Sequence, residues 1–306
     1  MIGRAGAAVV GLLLDRVTGE PPDRFHPVAW FGTAMGRVER RLWADRRHRG
    51  VAHAATGVTI GWVAGALLRS TAVAVAISAA GRSLRATAAG VGQTLEADDL
   101  EGARHQLRAL VGRDPSELDA SGISAAVIES VAENSVDAVV APVFWAVVAG
   151  APGALAYRAV NTMDAMVGHR SDRYLRYGWA AARLDDVANY LPARLFAALV
   201  IAAGPGRTGE VVRLVRRDAR AHPSPNAGVA ETAMAASLGI ELGGPLQYGD
   251  RQENRPRLGD GPRPGPADIG RGVAVADRAE KALAGALLLG ALIALRSAGT
   301  GRAGPA

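Results

Sequence analysis

ESVAENSVDAVVAPVFWAVVAGAPGALAYRAVNTMDAMVGHRSDRYLRYGWAAARLDDVANYLPAR, residues 129–194, interleaves apolar stretches long enough to enter a bilayer with dense polar clusters. Glu129, Glu133 and Asp137 stand at i, i+4 and i+8, one stripe of a helix that then enters an uncharged stretch from Ala138 to Tyr157. Like charges at that spacing repel, so the stripe makes physical sense if a cation or a phosphate-bound metal sits among them. The plain alternative is three carboxylates on a wet helix face.

Composition narrows the class. The chain has 306 residues, 49% hydrophobic and only 5% aromatic, with a mean hydropathy of +0.11, which fits an alanine-rich helical protein or a membrane protein. The formal charge of +6 is carried almost wholly by arginine, since Lys281 is the sole lysine. Basic patches interleaved with aromatics, the mark of a nucleic-acid partner, read as absent, and arginines at membrane ends satisfy the cytoplasmic positive bias equally well. The absence of cysteine excludes disulfides, thiolate metal sites and thiol nucleophiles.

Hydropathy points to the membrane. Ala138 to Tyr157 is just long enough for a hydrocarbon core of about 30 Å, with Pro142 and Pro152 as expected kinks. Residues 54–80 form a second candidate, and Gly57, Gly61 and Gly65 repeat at the spacing that lets two helices approach closely. Residues 5–14, 195–203 and 282–295 are shorter candidates, giving an expectation of three to five embedded segments. Arg4 before an apolar decamer mimics a signal peptide, but no small-residue cleavage site follows, so the segment reads as retained. The fold expected is all-α: a polytopic membrane protein in one domain over residues 1–306, with helical connecting regions.

Residues 81–128 read as an amphipathic helical excursion ending at DPSELDASGIS, where Asp114, Ser116 and Ser121 or Ser124 are candidate caps. Arg255 to Asp268, RPRLGDGPRPGPAD, is a Pro/Gly-rich loop without periodicity, and strand-like alternation is sustained nowhere. Gly204, Gly206 and Gly209 match a dinucleotide spacing, but an alanine-rich helix precedes them where a strand is required. There is no Walker A loop, no HExxH pair and no GxSxG elbow.

Three polar clusters remain. Tyr157, Asn161, Asp164 and Gly168 form one helical face; Asp185 and Asn189 are four apart, Arg183 and Asp186 three apart. Pro223, Ser224, Pro225, Asn226 and Gly228 build a turn-rich loop bounded by Arg216, Arg217, Arg220 and Glu231. His169 follows a long helix and reads equally as a phosphate contact or a cap.

These clusters carry a resemblance. GEPPDRFHPVAWFG, ESVAENSVDAVVAP, YRAVNTMDAMVGHR, ARLDDVANYLPARL and HPSPNAGVAETAMAASLGIELGGPLQYG, in this order over about residues 10–250, resemble the CobD/CbiB family of cobalamin biosynthesis, the adenosylcobinamide-phosphate synthases. Glu20 stands where the family usually has aspartate, and Ala138 where glycine is common. The resemblance implies an integral membrane enzyme of the cell membrane that joins (R)-1-aminopropan-2-ol, or its O-phosphate, to the free propionate of adenosylcobyric acid in an ATP-dependent amide ligation. The implied partners are these small molecules and membrane lipid, without nucleic acid; a homo-oligomer and a complex with later pathway enzymes are both compatible. ATP and the arginine-rich 205–281 region argue for a cytoplasmic site.

The implied chemistry fits the residues. A carboxylate resists amine attack until an ATP-derived group makes its oxygen a leaving group. Glu129, Glu133, Asp137, Asp164, Asp185 and Asp186 can supply oxygen ligands to Mg²⁺, with Glu133, Asp137 and Asp186 the foremost metal candidates. Arg158, Arg170, Arg173 and Arg183 can hold phosphate bidentately, while Asn161, Asn189, His222 and Asn226 complete the binding set. His169, His222 or Glu133 can serve as base for the attacking ammonium. Two other classes stay open: a membrane sensor of the related AmpE type, and a corrinoid carrier whose intramembrane polar residues line a path.

Overall fold

Alanine, leucine and valine without strand-like alternation leave helix as the way to satisfy the backbone of an apolar chain. A computed structural model of the chain describes residues 2–112, 114–204, 206–248 and 251–300. Its helices are α1 (Ile2–Thr18), α2 (Pro27–Leu42), α3 (Arg47–Leu68), α4 (Thr71–Ser78), α5 (Gly81–Glu96), α6 (Leu100–Leu107), α7 (Ala120–Ser135), α8 (Ala141–Met163), α9 (Trp179–Ala188), α10 (Tyr190–Ala203), α11 (Thr208–Asp218), α12 (Ala227–Leu238) and α13 (Pro266–Thr300). Two π-turns, Val136–Val140 and Asp164–Gly168, flank α8, and the antiparallel strands β1 (Leu242–Tyr248) and β2 (Arg251–Leu258) interrupt the helices.

The chain, expected as one domain, packs as two compact units of discontinuous sequence. Unit 1 is Met1–Ala80, Asp137–Asn189 and Leu283–Ala306; unit 2 is Gly81–Val136 and Tyr190–Ala282. Among the described residues two helices are long and apolar enough to cross a membrane, Arg47–Leu68 and the 49-residue run Ala120–Gly168, and the bent pair α9 and α10 makes a third if it is one span. With that pair the count reaches three, the lower end of the expected three to five embedded segments, which included shorter ones. The 54–80 candidate is cut short because Arg69 turns left-handed (φ 57°) and Ser70 caps α4 by accepting from Val73 N at 3.3 Å.

In unit 1, α3 packs on α8 through the glycine stripe. A side chain at Gly61 would stand 2.6 Å from the Leu155 carbonyl oxygen, and one at Gly65 would stand 2.5 Å from that of Ala151; Gly57 lies against Met163. The close approach expected of these glycines is thus realised. Pro142 sits in the first turn of α8, where the Ala138 carbonyl that its missing N–H would serve accepts instead from Ala80 N at 3.0 Å; the break comes at Gly150 (φ 70°, ψ −152°), two residues before Pro152. Met35, Met163, Val167, Tyr177 and Ala181 form a buried core beside this helix pair. The GEPPDRFHP motif builds the entry to α2: His26 Nδ1 accepts from Val28 N at 3.1 Å while its Nε2 stands 3.3 Å from Glu20.

In unit 2, α12 is buried along its whole length, Glu231 and Thr232 included. The cap of α7 is Asp119, which accepts from Gly122 N at 2.7 Å. The expected caps do other work: Asp114 holds the Ser116 amide at 3.1 Å, and Ser121 donates to the Pro264 carbonyl at 2.9 Å. The hairpin overturns the expectation of no strands and trims the expected loop over 255–268 to 259–265, since Arg255–Leu258 pair with β1 and α13 begins at Pro266. Its anchors are Leu242 and Leu258, opposite each other and fully buried, with a bulge at Gly243 (φ 75°). Two leucines and a glycine bulge fix the register where alternation gives no signal. Gly249, the last residue of the fifth motif, lies outside the described residues.

Candidate functional site

The densest polar cluster lies in unit 1, where residues of the π-turn Val136–Val140, α8 and the end of α9 converge. Tyr157 donates its hydroxyl to Asn189 Oδ1 at 2.8 Å, the shorter of two contacts; Asp137 Oδ1 is 3.4 Å from the same oxygen. The Asn189 amide nitrogen then donates to Asp137 Oδ1 and Asp185 Oδ2, each at 3.0 Å. Asn161 stands 3.5 Å from the other oxygen of Asp185 and accepts from Arg158 Nη1 at 3.1 Å. Tyr157 and Asn189 are both buried, at 2% exposure each, so the network is sealed on that side and its carboxylates are oriented by neutral amides. Arg158 Nε is buried without a hydrogen-bond partner.

Local sequence explains the convergence. ARLDDVAN places Asp185 and Asn189 one helical turn apart, and Tyr157 and Asn161 are spaced likewise on α8. Asp137 leaves the expected stripe because it falls in a π-turn, whose i→i+5 bonding shifts the register after Ser135. Asp186 pairs with Arg183 at 3.2 Å. Among the described residues no group of three or more His, Asp or Glu side chains is disposed to hold a metal ion; of the expected metal candidates Asp137 and Asp186 belong to unit 1 and Glu133 to unit 2. The carboxylate pair that unit 1 does bring together is Asp137 and Asp185.

The other unit 1 candidates lie elsewhere. Asp164 opens the second π-turn, with its carboxylate packed over Gly168. His169 is exposed and stacks edge-on against Tyr174, ring centroids 4.9 Å apart. Arg173 pairs with Glu39 at 3.2 Å and lies over Trp43, and Arg170 is exposed. Sequence reading missed Glu39, which also accepts from the Tyr174 hydroxyl at 2.8 Å. Burial, followed by the nearby Glu39 charge, pushes the Tyr177 hydroxyl up to about 12.

Unit 2 holds a second polar cavity of about 290 Å³, lined by Glu129, Ser130, Glu133, Glu231 and Arg255 among others. Glu129 is buried and accepts from Gly243 N at 2.8 Å, tying α7 to the hairpin, whereas Glu133 is exposed. His222 Nδ1 accepts from Ser224 N at 3.1 Å, which assigns the ring proton to Nε2, 3.8 Å from Glu231. Asn226 accepts from Arg194 at 3.0 Å, and Ser224 Oγ accepts from the Asn226 and Ala227 amides at 3.3 and 3.2 Å. The turn-rich loop is rigid, as expected, and its polar side chains are spent largely on holding it.

Comparison with known proteins agrees with these motifs. The family model described as CobD/Cbib protein matches residues 8–276. A protein named "Cobalamin biosynthesis protein CobD" from Mycobacterium tuberculosis is 45% identical over 306 residues, covering 96% of each chain. The protein of that name from Rhodobacter capsulatus is 42% identical over 319 residues, covering 95% of this chain and 98% of its own. The one from Chromobacterium violaceum is 42% identical over 305 residues. No solved structure matches the chain. With a family model spanning most of its length and relatives matched nearly end to end, the chain belongs to the CobD/CbiB family.

Proposed function

We propose that the chain is an adenosylcobinamide-phosphate synthase of cobalamin biosynthesis, a multi-pass protein of the cell membrane with its site on the cytoplasmic side. It ligates (R)-1-aminopropan-2-ol, as the O-phosphate, to the free propionate of adenosylcobyric acid with ATP. The observation that supports this reading is the Tyr157–Asn189–Asp137–Asp185 network, built from the family motifs themselves. A merely structural polar knot in a membrane chain needs no pair of carboxylates, which are costly to bury.

Mg²⁺ takes one or two carboxylates directly and keeps several waters, and Asp137 and Asp185, joined through one amide nitrogen, fit that donor set. ATP bound with it supplies the group that makes the propionate oxygen a leaving group. The protein's own share is orientation and proton transfer. Asn189 fixes the two carboxylates, and Arg158, whose Nε makes no hydrogen bond among the described residues, and Arg183 are the guanidinium groups for phosphate oxygens. Arg170 and Arg173 stay candidates for the same task. Glu133, His169 and His222 stay the candidates for taking the proton of the attacking ammonium.

The test is the mass of the product formed when membranes holding the chain are given adenosylcobyric acid, ATP, Mg²⁺ and either the free or the phosphorylated amine. Amide product with the phosphorylated amine is expected. No product with either amine, at verified protein abundance, overturns the ligase reading, as does failure of cobinamide to rescue a strain lacking the chain. Carbonate extraction tests placement: the chain is expected to stay in the membrane pellet.

A further inference from the structure

Residues 37–49 hold six arginines against Glu39 and Asp45, and residues 169–176 hold three against Asp172. The fold of unit 1 makes these one surface. Arg173 reaches Glu39 at 3.2 Å, Arg176 reaches Asp45 at 3.6 Å, and Gly50 lies against the backbone of Tyr177. All nine arginines are exposed, and the surface's excess positive charge equals the +6 of the whole chain. The basic, aromatic-bearing patch is therefore assembled from two distant stretches, the first of which already carries Trp43 among its arginines, and its presence corrects the expectation that basic patches with aromatics are absent. Glu39 and Asp45 are taken by Arg173 and Arg176, so Arg37, Arg40, Arg41, Arg46, Arg49 and Arg170 make no ion pair among the described residues.

Two features say what covers this face. The patch surrounds the first turn of α3, which contains no acid and starts one of the two helices able to cross a membrane. Cations at a helix N-terminus oppose the helix dipole, so their grouping there is unfavourable unless anions offset it. Trp43 and Trp179, 40% and 41% exposed, lie beneath Arg173 and Arg47 at 4.8 and 5.2 Å, the pairing of ring and cation that suits a membrane–water interface. The arginines spread over an open surface and none lines the large apolar cavity of unit 1, which speaks for many shallow phosphate contacts over one enclosed ligand.

We propose that this surface binds the phosphate headgroups of anionic phospholipids in the cytoplasmic leaflet, fixing the N-terminal end of α3 on that side. The binding is coulombic and summed over several residues. It is independent of the ligase reading, and Arg170 and Arg173 stand within it.

The full chain, purified in neutral detergent, is given phosphatidylglycerol or phosphatidylcholine and examined by native mass spectrometry. Phosphatidylglycerol is expected to be retained preferentially. The triple variant Arg41→Gln, Arg46→Gln, Arg49→Gln is expected to lose roughly tenfold or more of that preference, and the matching Arg→Lys triple to keep it. Equal retention of both lipids overturns the proposal. Loss of preference in the lysine triple does so too, because it points to a stereospecific phosphate pocket. Displacement of lipid by inorganic phosphate or ATP assigns the face to a soluble ligand, and displacement by a short oligonucleotide assigns it to nucleic acid; either result overturns the proposal. Should the triple variants fail to fold, the single exposed change His48→Cys still decides, since the chain has no other thiol. An impermeant maleimide is expected to label it only after right-side-out vesicles are opened, and labelling of intact vesicles refutes the cytoplasmic placement.

Discussion

Arg4 donates from Nη1 to the Val148 carbonyl oxygen at 2.7 Å, and that carbonyl is the one Pro152 leaves without its helical donor. An arginine that reads like the charged start of a signal peptide thus repairs the backbone of a spanning helix. Away from water an unsatisfied carbonyl costs several kcal/mol. Arg4→Met, which keeps bulk but removes the donor, is expected to lower the thermal midpoint of the detergent-solubilised chain and its yield in membranes, with Arg4→Lys intermediate. A melting curve for Arg4→Met that overlays the unmodified one would show that the carbonyl finds another donor.

Asn189 serves one donor and two acceptors at once, so its neighbours separate stability from chemistry. Tyr157→Phe leaves Asn189 Oδ1 without its 2.8 Å donor, a cost of about 1–3 kcal/mol. Asn189→Asp is expected to be worse, because it places a third carboxylate against Asp137 and Asp185. If the network orients the reacting groups, Tyr157→Phe loses product formation by more than its lowered stability explains, measured at a temperature where the protein stays folded. Equal losses would reduce the network to scaffolding.

Helices, the α3–α8 glycine seam and the motif spacings were legible in the sequence because each depends on local periodicity. The Asp185–Asn189 pair was readable for the same reason. What escaped depends on residues far apart in the chain: the Glu39–Tyr174 contact spans 135 positions, and the hairpin is pinned by Leu242 and Leu258 with no alternating pattern between them. The π-turn at Val136–Val140 moved Asp137 off a stripe that straight-helix counting had drawn through it. The basic face escaped for a related reason, since its arginines are divided between two segments distant in the chain, although the first already carries Trp43 among them.

Glu133 and Ser130 line one cavity yet should differ sharply on substitution. Ser130 donates to the Leu110 carbonyl at 2.9 Å and accepts from Asn134 Nδ2 at 3.1 Å, so Ser130→Ala removes two neutral hydrogen bonds, worth about 1 kcal/mol each, and Asn134 keeps its bond to the Ser130 carbonyl. Glu133→Gln keeps volume and removes the charge and basicity. Roughly a hundredfold loss of ligation is expected for Glu133→Gln, and little loss for Ser130→Ala, in assays normalised to membrane abundance. Near-normal ligation by Glu133→Gln would remove this residue from the chemistry.

Asp260 sits in a clasp, 2.7 Å from Arg217 Nη2 and 2.7 Å from Arg213 Nη2, which joins α11 to the chain just after β2. Those hydrogen bonds hold its carboxyl down at about 2, below the ordinary value near 4. A carboxyl depressed in the folded state contributes stability that is fully present above its unfolded value and is lost as pH falls through the folded one. The loss should therefore develop between about pH 4 and about pH 2, and it should shrink in high salt because the clasp is solvent-exposed. Glu210 shares Arg213 and is also held below its ordinary range, so unfolding midpoints must be compared between the unmodified chain and Asp260→Asn. The variant is expected to be less stable than the parent at neutral pH and to converge with it at the acid end. A gap between the two that stays constant down to about pH 2 would mean that the clasp acts through packing rather than charge.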